Sequence, residues 1–155
     1  MAHFVYALVA AKKVADQIQT DWPELERFDA GDAHSIFPVE QEQIEKRVGS
    51  SSDDSNEQTG GFYYLSNNFK KELRELSKYG KICYLETEYF GGEGGQCACV
   101  YDNRTEIMAP TWAESDTINT ALKILGVAPK ENLDAFDTIG LGAVRKNTDF
   151  SKNVR

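Results

Sequence analysis

The chain has 155 residues, of which 41% are hydrophobic, 27% are charged and 11% are aromatic. These values are typical of one globular domain with a single core. No run of about 18 apolar residues predicts a membrane span, and the apolar start of the chain is too short and too regularly patterned for a signal peptide. The three cysteines are too few for a disulfide framework, so we expect a cytoplasmic protein.

The charge balance indicates a kind of partner. Acidic residues number 25 against 17 basic ones, which gives a formal net charge of −8. Nucleic-acid binding is disfavoured, because a duplex requires a clustered basic surface and the Lys and Arg residues here are scattered. An acidic surface suits a basic protein, since complementary fields steer association. Simple solubility is the alternative explanation of the charge.

The first part of the chain predicts two strands and two helices. Residues 3–10 are apolar, β-branched and aromatic, which is typical of a central strand buried on both faces. The polar segment that follows carries apolar side chains at helical spacing and predicts an amphipathic helix. After an acidic loop over 21–33, residues 34–37 predict a short strand. Pro38 then begins a helix over 39–48, because proline is tolerated in a first helical turn.

A Ser-, Asp- and Gly-rich segment, 49–61, predicts a mobile loop because it is low in hydrophobicity and has no aromatic residue. Beyond it, residues 62–65 predict a strand, and Ser66 or Asn67 predicts the N-cap of an amphipathic helix. Residues 81–90 predict another strand, in which alternation places on one face Cys83, Leu85, Thr87 and Tyr89 and on the other Ile82, Tyr84, Glu86 and Glu88. These elements form a strand–helix–strand unit, with a right-handed crossover if its strands are parallel neighbours.

The sequence Gly-Gly-Glu-Gly-Gly at 91–95 joins this strand to a further one at 96–102. Glycine permits positive φ and close backbone approach, so this turn predicts a wide, bulged antiparallel hairpin. A third strand over 105–109 makes a meander. Thr111 and Glu114 then match the capping-box pattern of a helix start, and Ser115 is a competing N-cap.

The end of the chain predicts two helices and a tail. An apolar stripe from Ile118 to Leu125 predicts a helix of about three turns that ends at Gly126. Residues 132–139 predict a shorter helix, and residues 146–155 predict a polar tail. The whole sequence therefore predicts a single α+β domain, with a mixed, mainly antiparallel sheet and helices packed on it.

No motif in the chain predicts catalysis, a cofactor or a metal site. The glycine-rich turn lacks the Lys and Ser/Thr of a phosphate-binding loop and leads into a strand rather than a helix. Gly140 and Gly142 lack the third glycine of a dinucleotide-binding motif. Cys83, Cys97 and Cys99 fall short of a four-ligand zinc site, and core packing is the favoured explanation for them.

Carboxylates close to the glycine-rich turn are the best candidates for a functional site. Glu86 and Glu88 share one predicted strand face, and Glu93 lies in the turn itself. A general acid and base would also need a nucleophile, a cation or a metal, so a protein-contact surface is favoured, with a solvated sheet face as the alternative. The predicted partner-binding residues are Glu86, Glu88, Tyr89, Gly92, Glu93 and Gln96.

The second half of the chain resembles a block found in small uncharacterised bacterial proteins. The resemblance is carried by residues 83–96, 118–122, 125–127, 134–137 and 140–142, and it implies no specific activity. In size, acidity and expected solubility the chain is similar to bacterial immunity proteins, a class that neutralises a basic toxin domain by occluding its active surface.

We therefore expect an acidic binding protein of the immunity or antitoxin kind rather than an enzyme. The alternative is a small enzyme or ligand-binding domain whose pocket opens at the glycine-rich turn, with Glu88, Gln96 and Arg145 as its polar groups. A structural subunit of a larger assembly is a third interpretation.

Overall fold

The computed structural model describes residues 2–49 and 59–152. Over these residues the chain forms six strands in one sheet and six α-helices, so the predicted α+β class is confirmed. The strands are β1 (Tyr6–Ala11), β2 (Phe28–Ala30), β3 (His34–Pro38), β4 (Ile82–Phe90), β5 (Glu93–Asp102) and β6 (Thr105–Ala113). The helices are α1 (Lys12–Asp21), α2 (Gln41–Val48), α3 (Asn67–Leu76), α4 (Thr117–Ile124), α5 (Ala135–Thr138) and α6 (Asp149–Lys152).

The strands are ordered β2-β3-β1-β4-β5-β6, and each neighbouring pair is antiparallel. β1 lies inside the sheet because its side chains are apolar on both faces. Leu8 pairs with Tyr84 in one core cluster, and Val9 pairs with Cys83 in the other. The prediction of a central strand buried on both faces is confirmed.

Helices cover both faces of the sheet and divide the core in two. On the face that we call the α3 face, α1, α2 and α3 pack around Leu8, Phe37 and Tyr84. On the opposite face, the α4 face, α4 and α5 pack around Val9 and Leu85. Because hydrophobic stabilisation follows the apolar area removed from water, covering both faces lets one sheet support the domain.

Residues 62–65 form an irregular turn, so the strand predicted there is wrong, and with it the strand–helix–strand unit. The aromatic run favours a strand by propensity, but two of its backbone N–H groups bond to the Glu86 side chain instead of a strand. The helix that follows begins as predicted, because Ser66 Oγ accepts a hydrogen bond from the Phe69 N–H at 3.1 Å.

Pro38 ends β3 instead of starting a helix. α2 begins at Gln41, after a capping box in which the Glu40 and Gln43 side chains each accept a backbone N–H of the other residue. The acidic segment predicted as a loop over 21–33 contains the short edge strand β2.

The ends of α2 and α3 are linked directly. The Val48 carbonyl oxygen accepts a hydrogen bond from Asn68 Nδ2 at 2.8 Å, so the chain leaves α2 and enters α3 at adjoining points. The Thr59 N–H donates to the Leu65 carbonyl oxygen at 2.7 Å. Most of the mobile loop predicted over 49–61 lies outside the described residues.

β4 and β5 are joined by a two-residue turn. Gly91 and Gly92 have φ values of 63° and 84°, and Phe90 pairs directly with Glu93. Two consecutive positive φ angles match the right-handed twist of the flanking strands. The predicted wide, bulged hairpin is wrong, because the last three residues of the glycine-rich sequence belong to β5.

β6 is an edge strand and extends past its predicted end at residue 109 to Ala113. Pro110 is accommodated because an edge strand needs ladder hydrogen bonds on one side only. The capping-box pattern of Thr111 and Glu114 is therefore not used, and α4 begins at Thr117.

The chain end packs against the fold where a polar tail was expected over 146–155. Asn147 and Phe150 are buried. Asn147 Oδ1 accepts the Tyr6 N–H at 2.9 Å, and its Nδ2 donates to the Val39 carbonyl oxygen at 2.9 Å. Residues 153–155 lie outside the described part of the chain. Among the described helices, none has the length and apolar composition needed to cross a bilayer.

Candidate functional site

The structure divides the predicted site residues between the two faces of the β4–β5 hairpin. Side chains alternate along a strand and match across an antiparallel pair. Glu86, Glu88 and Glu93 therefore lie on the α3 face, whereas Tyr89 and Gln96 lie on the α4 face. The sixth predicted residue belongs to the turn between the two strands.

Glu86 is a buried anchor for the turn over 62–65. Its side chain lies beneath the surface, with the residue only 3% exposed. The carboxylate accepts hydrogen bonds from the backbone N–H groups of Tyr63 at 2.6 Å and Tyr64 at 2.9 Å, and from the Tyr84 hydroxyl at 2.6 Å. A buried carboxylate is costly unless its oxygens are satisfied, and these three donors satisfy them. The structure thus places Glu86 below the predicted partner-binding surface.

The buried charge affects nearby titratable groups. Burial raises the pKa of Glu86, although the hydrogen bonds from Tyr84 and two backbone N–H groups lower it. Burial, together with the charges of Glu86 and Glu88, raises the pKa of Cys97 to about 12. Its S–H donates to the Gly61 carbonyl oxygen at 2.9 Å. A thiol held in the protonated form is inert as a nucleophile.

Gln96 and Tyr89 support the start of α4. Gln96 Oε1 accepts the Ile118 N–H at 2.7 Å, and Gln96 Nε2 donates to the Tyr89 hydroxyl at 3.0 Å. The Tyr89 hydroxyl donates in turn to the Glu114 carbonyl oxygen. The N–H groups of a first helical turn need acceptors, and the N-cap residue Asp116 supplies none from its side chain. Gln96 takes that role.

Glu88 and Glu93 are exposed, and three exposed aromatic residues accompany them on the same part of the molecule. These are Tyr63, Phe90 and Trp112, with exposed fractions of 49%, 75% and 52%. The Tyr63 hydroxyl donates to Glu88 at 3.0 Å, and Phe90 lies directly opposite Glu93. We call these five residues the aromatic–acidic patch. Exposed apolar surface with a polar rim marks sites of protein interaction.

Two glycines leave space for the Trp112 side chain beside Glu88. A Cβ atom at Gly95 would lie 2.5 Å from indole atoms Cε2 and Cζ2, and a Cβ atom at Gly61 would lie 3.1 Å from Trp112 Cβ. Gly95 is the direct partner of Glu88 in the β4–β5 ladder, and side chains so paired lie about 5 Å apart. The indole therefore covers Gly95 immediately next to the carboxylate.

Among the residues that the structure describes, no basic side chain forms an ion pair with Glu88 or Glu93. The hydrogen bond to Glu88 and its charge raise the pKa of the Tyr63 hydroxyl. The patch therefore presents negative charge beside aromatic surface.

The polar groups predicted for a ligand pocket do not converge. Glu88 lies on the α3 face and Gln96 on the α4 face, with the sheet between them. Arg145 follows Val144, which packs in the core of the α4 face. The Arg145 carbonyl oxygen accepts the Phe4 N–H at 2.6 Å. These three residues therefore line no common pocket.

A groove of about 380 Å³ lies elsewhere, between the end of α1 and α2. Arg47 in this groove is already paired with Asp21 at 2.7 Å and with Glu72 at 3.2 Å. Its guanidinium lies 4.9 Å from the centroid of the Trp22 ring. These contacts hold the guanidinium within the fold, and Lys46 is a further cation that lines the groove.

The cysteines and histidines belong to the core. Cys83 lies in the core of the α4 face, whereas Cys97 and Cys99 lie in the core of the α3 face. His3 and His34 each bond a backbone carbonyl oxygen inside the fold. The part of the chain that the structure describes contains no group of three His, Cys, Asp or Glu residues able to hold a metal ion.

None of the three aromatic residues of the patch was among the predicted partner-binding residues. Phe90 shares the alternation that groups Glu86 with Glu88, so period-two reasoning was sufficient to find it. Trp112 was assigned to a helix start and Tyr63 to a short strand. Only the tertiary structure brings these two residues to the hairpin.

No protein-family model matches the chain, and no curated protein or solved structure is significantly similar to it. The resemblance to small bacterial proteins and the similarity to immunity proteins therefore stay predictions. A function must be argued from the site itself.

Proposed function

We propose that this protein is an acidic binding protein of the immunity or antitoxin kind, which neutralises a basic toxin domain by occluding its active surface. The observation that supports the proposal is the aromatic–acidic patch. It combines two exposed carboxylates, which form no ion pair with a described residue, with three exposed aromatic side chains. The complementary surface is basic and offers apolar contact, which are the properties of a Lys- or Arg-rich protein surface.

The two kinds of side chain have different roles in such an interface. Aromatic residues are enriched where binding free energy concentrates, because they bury a large area with few rotatable bonds. Carboxylates attract a basic partner and select against an acidic one. The net charge of −8 extends this attraction over the whole surface, so association should be fastest at low ionic strength.

The patch is built on rigid elements. Four of its residues lie in β4, β5 and β6, and the fifth, Tyr63, lies in the turn that Glu86 anchors. A surface ordered before binding loses little conformational entropy when a partner docks. A rigid surface of this kind suits steric occlusion.

Capture of the partner from the host of this protein tests the proposal. Immobilised wild-type protein is compared with the double variant Glu88→Lys/Glu93→Lys and with a control double variant, Glu24→Lys/Glu131→Lys. The control residues are exposed and lie outside the patch, and both doubles change the net charge equally. We expect the wild type and the control to retain a basic protein that the patch variant releases, as measured by quantitative mass spectrometry.

Two further readouts complete the test. Retention by the wild type should fall as salt rises, and the wild type at saturation should inhibit the activity of the captured protein. Equal retention by the two double variants contradicts a role for the patch. Full activity of the partner in the saturated complex contradicts neutralisation by occlusion.

A further inference from the structure

The fixed position of Trp112 points to the chemical group that the patch recognises. Resting on the proposed function, we propose that the patch binds one arginine side chain of the partner, with its guanidinium stacked on Trp112 and hydrogen-bonded to Glu88 and Glu93. A general acidic surface would need only positive charge in its partner, whereas this arrangement selects the guanidinium group.

The geometry places an aromatic ring beside carboxylates on one face of the hairpin. Trp112 pairs with Cys97 in the β5–β6 ladder, and its indole extends over Gly95, the direct partner of Glu88. Glu93 precedes Gly95 by two residues on the same strand and therefore lies on the same face. A planar cation placed against the indole is thus within reach of carboxylates at its edge.

Guanidinium fits this arrangement better than ammonium does. It is planar, weakly hydrated and presents several N–H donors in a fork, so it can stack on a ring and bond carboxylates at the same time. Cation–π attraction is strongest for tryptophan among the aromatic residues. A lysine ammonium would gain the charge attraction but not the stacking.

Addition of a partner strand to the edge of β6 is the competing mode of docking. Pro110 in the middle of this strand has no N–H to donate, and the β5–β6 register shifts twice, between Ala98 and Val100 and between Val100 and Tyr101. Proline and bulges are the features by which edge strands avoid pairing. The structure therefore favours recognition by the side chains of the patch.

Two labelled peptides of equal charge test the proposal, hexa-arginine and hexa-lysine. Their affinities for the purified full-length protein are measured by fluorescence anisotropy at one fixed low salt concentration. We expect the wild type to bind hexa-arginine at least about threefold more tightly than hexa-lysine. Trp112→Ala should abolish this preference, because it should lower hexa-arginine affinity more than hexa-lysine affinity. Glu88→Gln/Glu93→Gln should weaken binding of both peptides.

Ile107→Ala is the matched control, because Ile107 is an exposed apolar residue of the same strand, with 42% of it exposed. This variant should keep the arginine preference. Far-UV circular dichroism checks that each variant is folded. A second variant, Trp112→Phe, keeps an aromatic ring and should keep part of the preference.

Equal affinity of the wild type for the two peptides overturns the proposal, and so does an arginine preference that survives in Trp112→Ala. These outcomes are separate from a failure of the proposed function. If the patch variant Glu88→Lys/Glu93→Lys loses the captured partner but the wild type shows no arginine preference, the binding function stands and arginine recognition fails. If the arginine preference is present but the patch variant and its control, Glu24→Lys/Glu131→Lys, retain the partner equally, the proposed function fails.

Discussion

Replacing Glu86 by alanine measures how firmly the sheet holds the turn that carries Tyr63. The carboxylate accepts three hydrogen bonds, from the N–H groups of Tyr63 and Tyr64 and from the Tyr84 hydroxyl. Hydrogen bonds to a charged group contribute about 1.5–3 kcal/mol each, and removal of the carboxylate recovers part of its desolvation cost. We expect Glu86→Ala to lower the free energy of unfolding by about 3 kcal/mol.

Glu88→Ala is the matched control, two residues further along the same strand face. Glu88 is exposed and accepts one hydrogen bond, from the Tyr63 hydroxyl, so its replacement should change the free energy of unfolding by less than about 0.5 kcal/mol. Urea denaturation at pH 7 measures both values. Hydrogen exchange of the Tyr63 and Tyr64 amides should accelerate in Glu86→Ala alone. Equal destabilisation of the two variants, or unchanged exchange in Glu86→Ala, would refute the anchoring role.

Three further predictions concern other described contacts. Gly94 has a φ of 141°, and a Cβ there would overlap the Glu88 carbonyl oxygen of the facing strand. Gly94→Ala should therefore lower thermal stability more than Gly92→Ala, whose Cβ would meet no atom and which should cost about 1 kcal/mol. Equal shifts of Tm in the two variants would contradict this. Gln96→Ala removes the acceptor of the Ile118 N–H. It should lower the free energy of unfolding, measured by urea denaturation, by about 1–2 kcal/mol and speed hydrogen exchange of that amide. An unchanged exchange rate would argue against the contact. Burial lowers the pKa of His3 in the folded protein, so on acidification the unfolded chain takes up the proton first. The contribution of His3 to the free energy of unfolding is therefore fully present above pH 6.5. It is lost as the pH falls through that value towards the native pKa. His3→Gln should flatten this part of the pH profile of Tm, and an identical slope in the two proteins would exclude His3 as its cause.

Local patterns predicted much of the fold because the hydrophobic periodicity of most segments matches the element that each one forms. The alternation of β4 assigned Tyr84 to one face and Cys83 to the other, and both are found in the corresponding core clusters. Ser66 was predicted as an N-cap candidate because its hydroxyl can accept the N–H of a first helical turn, and Gly126 ends α4 with a φ of 85°.

The errors occur where a contact distant in sequence decides the outcome. Residues 62–65 have strand propensity, but Glu86, more than 20 residues later, binds their backbone N–H groups. Alternation placed Glu86 and Glu88 on one face correctly but could not show that this turn covers only the first of them. The glycines at 91–95 were all attributed to one turn, whereas Gly95 serves the packing of Trp112.

The hydrogen bond between Val48 and Asn68 gives the molecule a natural point for engineering. Because α2 ends where α3 starts, extra chain inserted between these two helices lengthens a connection whose two ends already adjoin. Each doubling of the length of such a loop costs only about 0.6 kcal/mol. An epitope or a fluorescent reporter domain introduced there would attach on the α3 side of the sheet, while both halves of the core keep their strands in register.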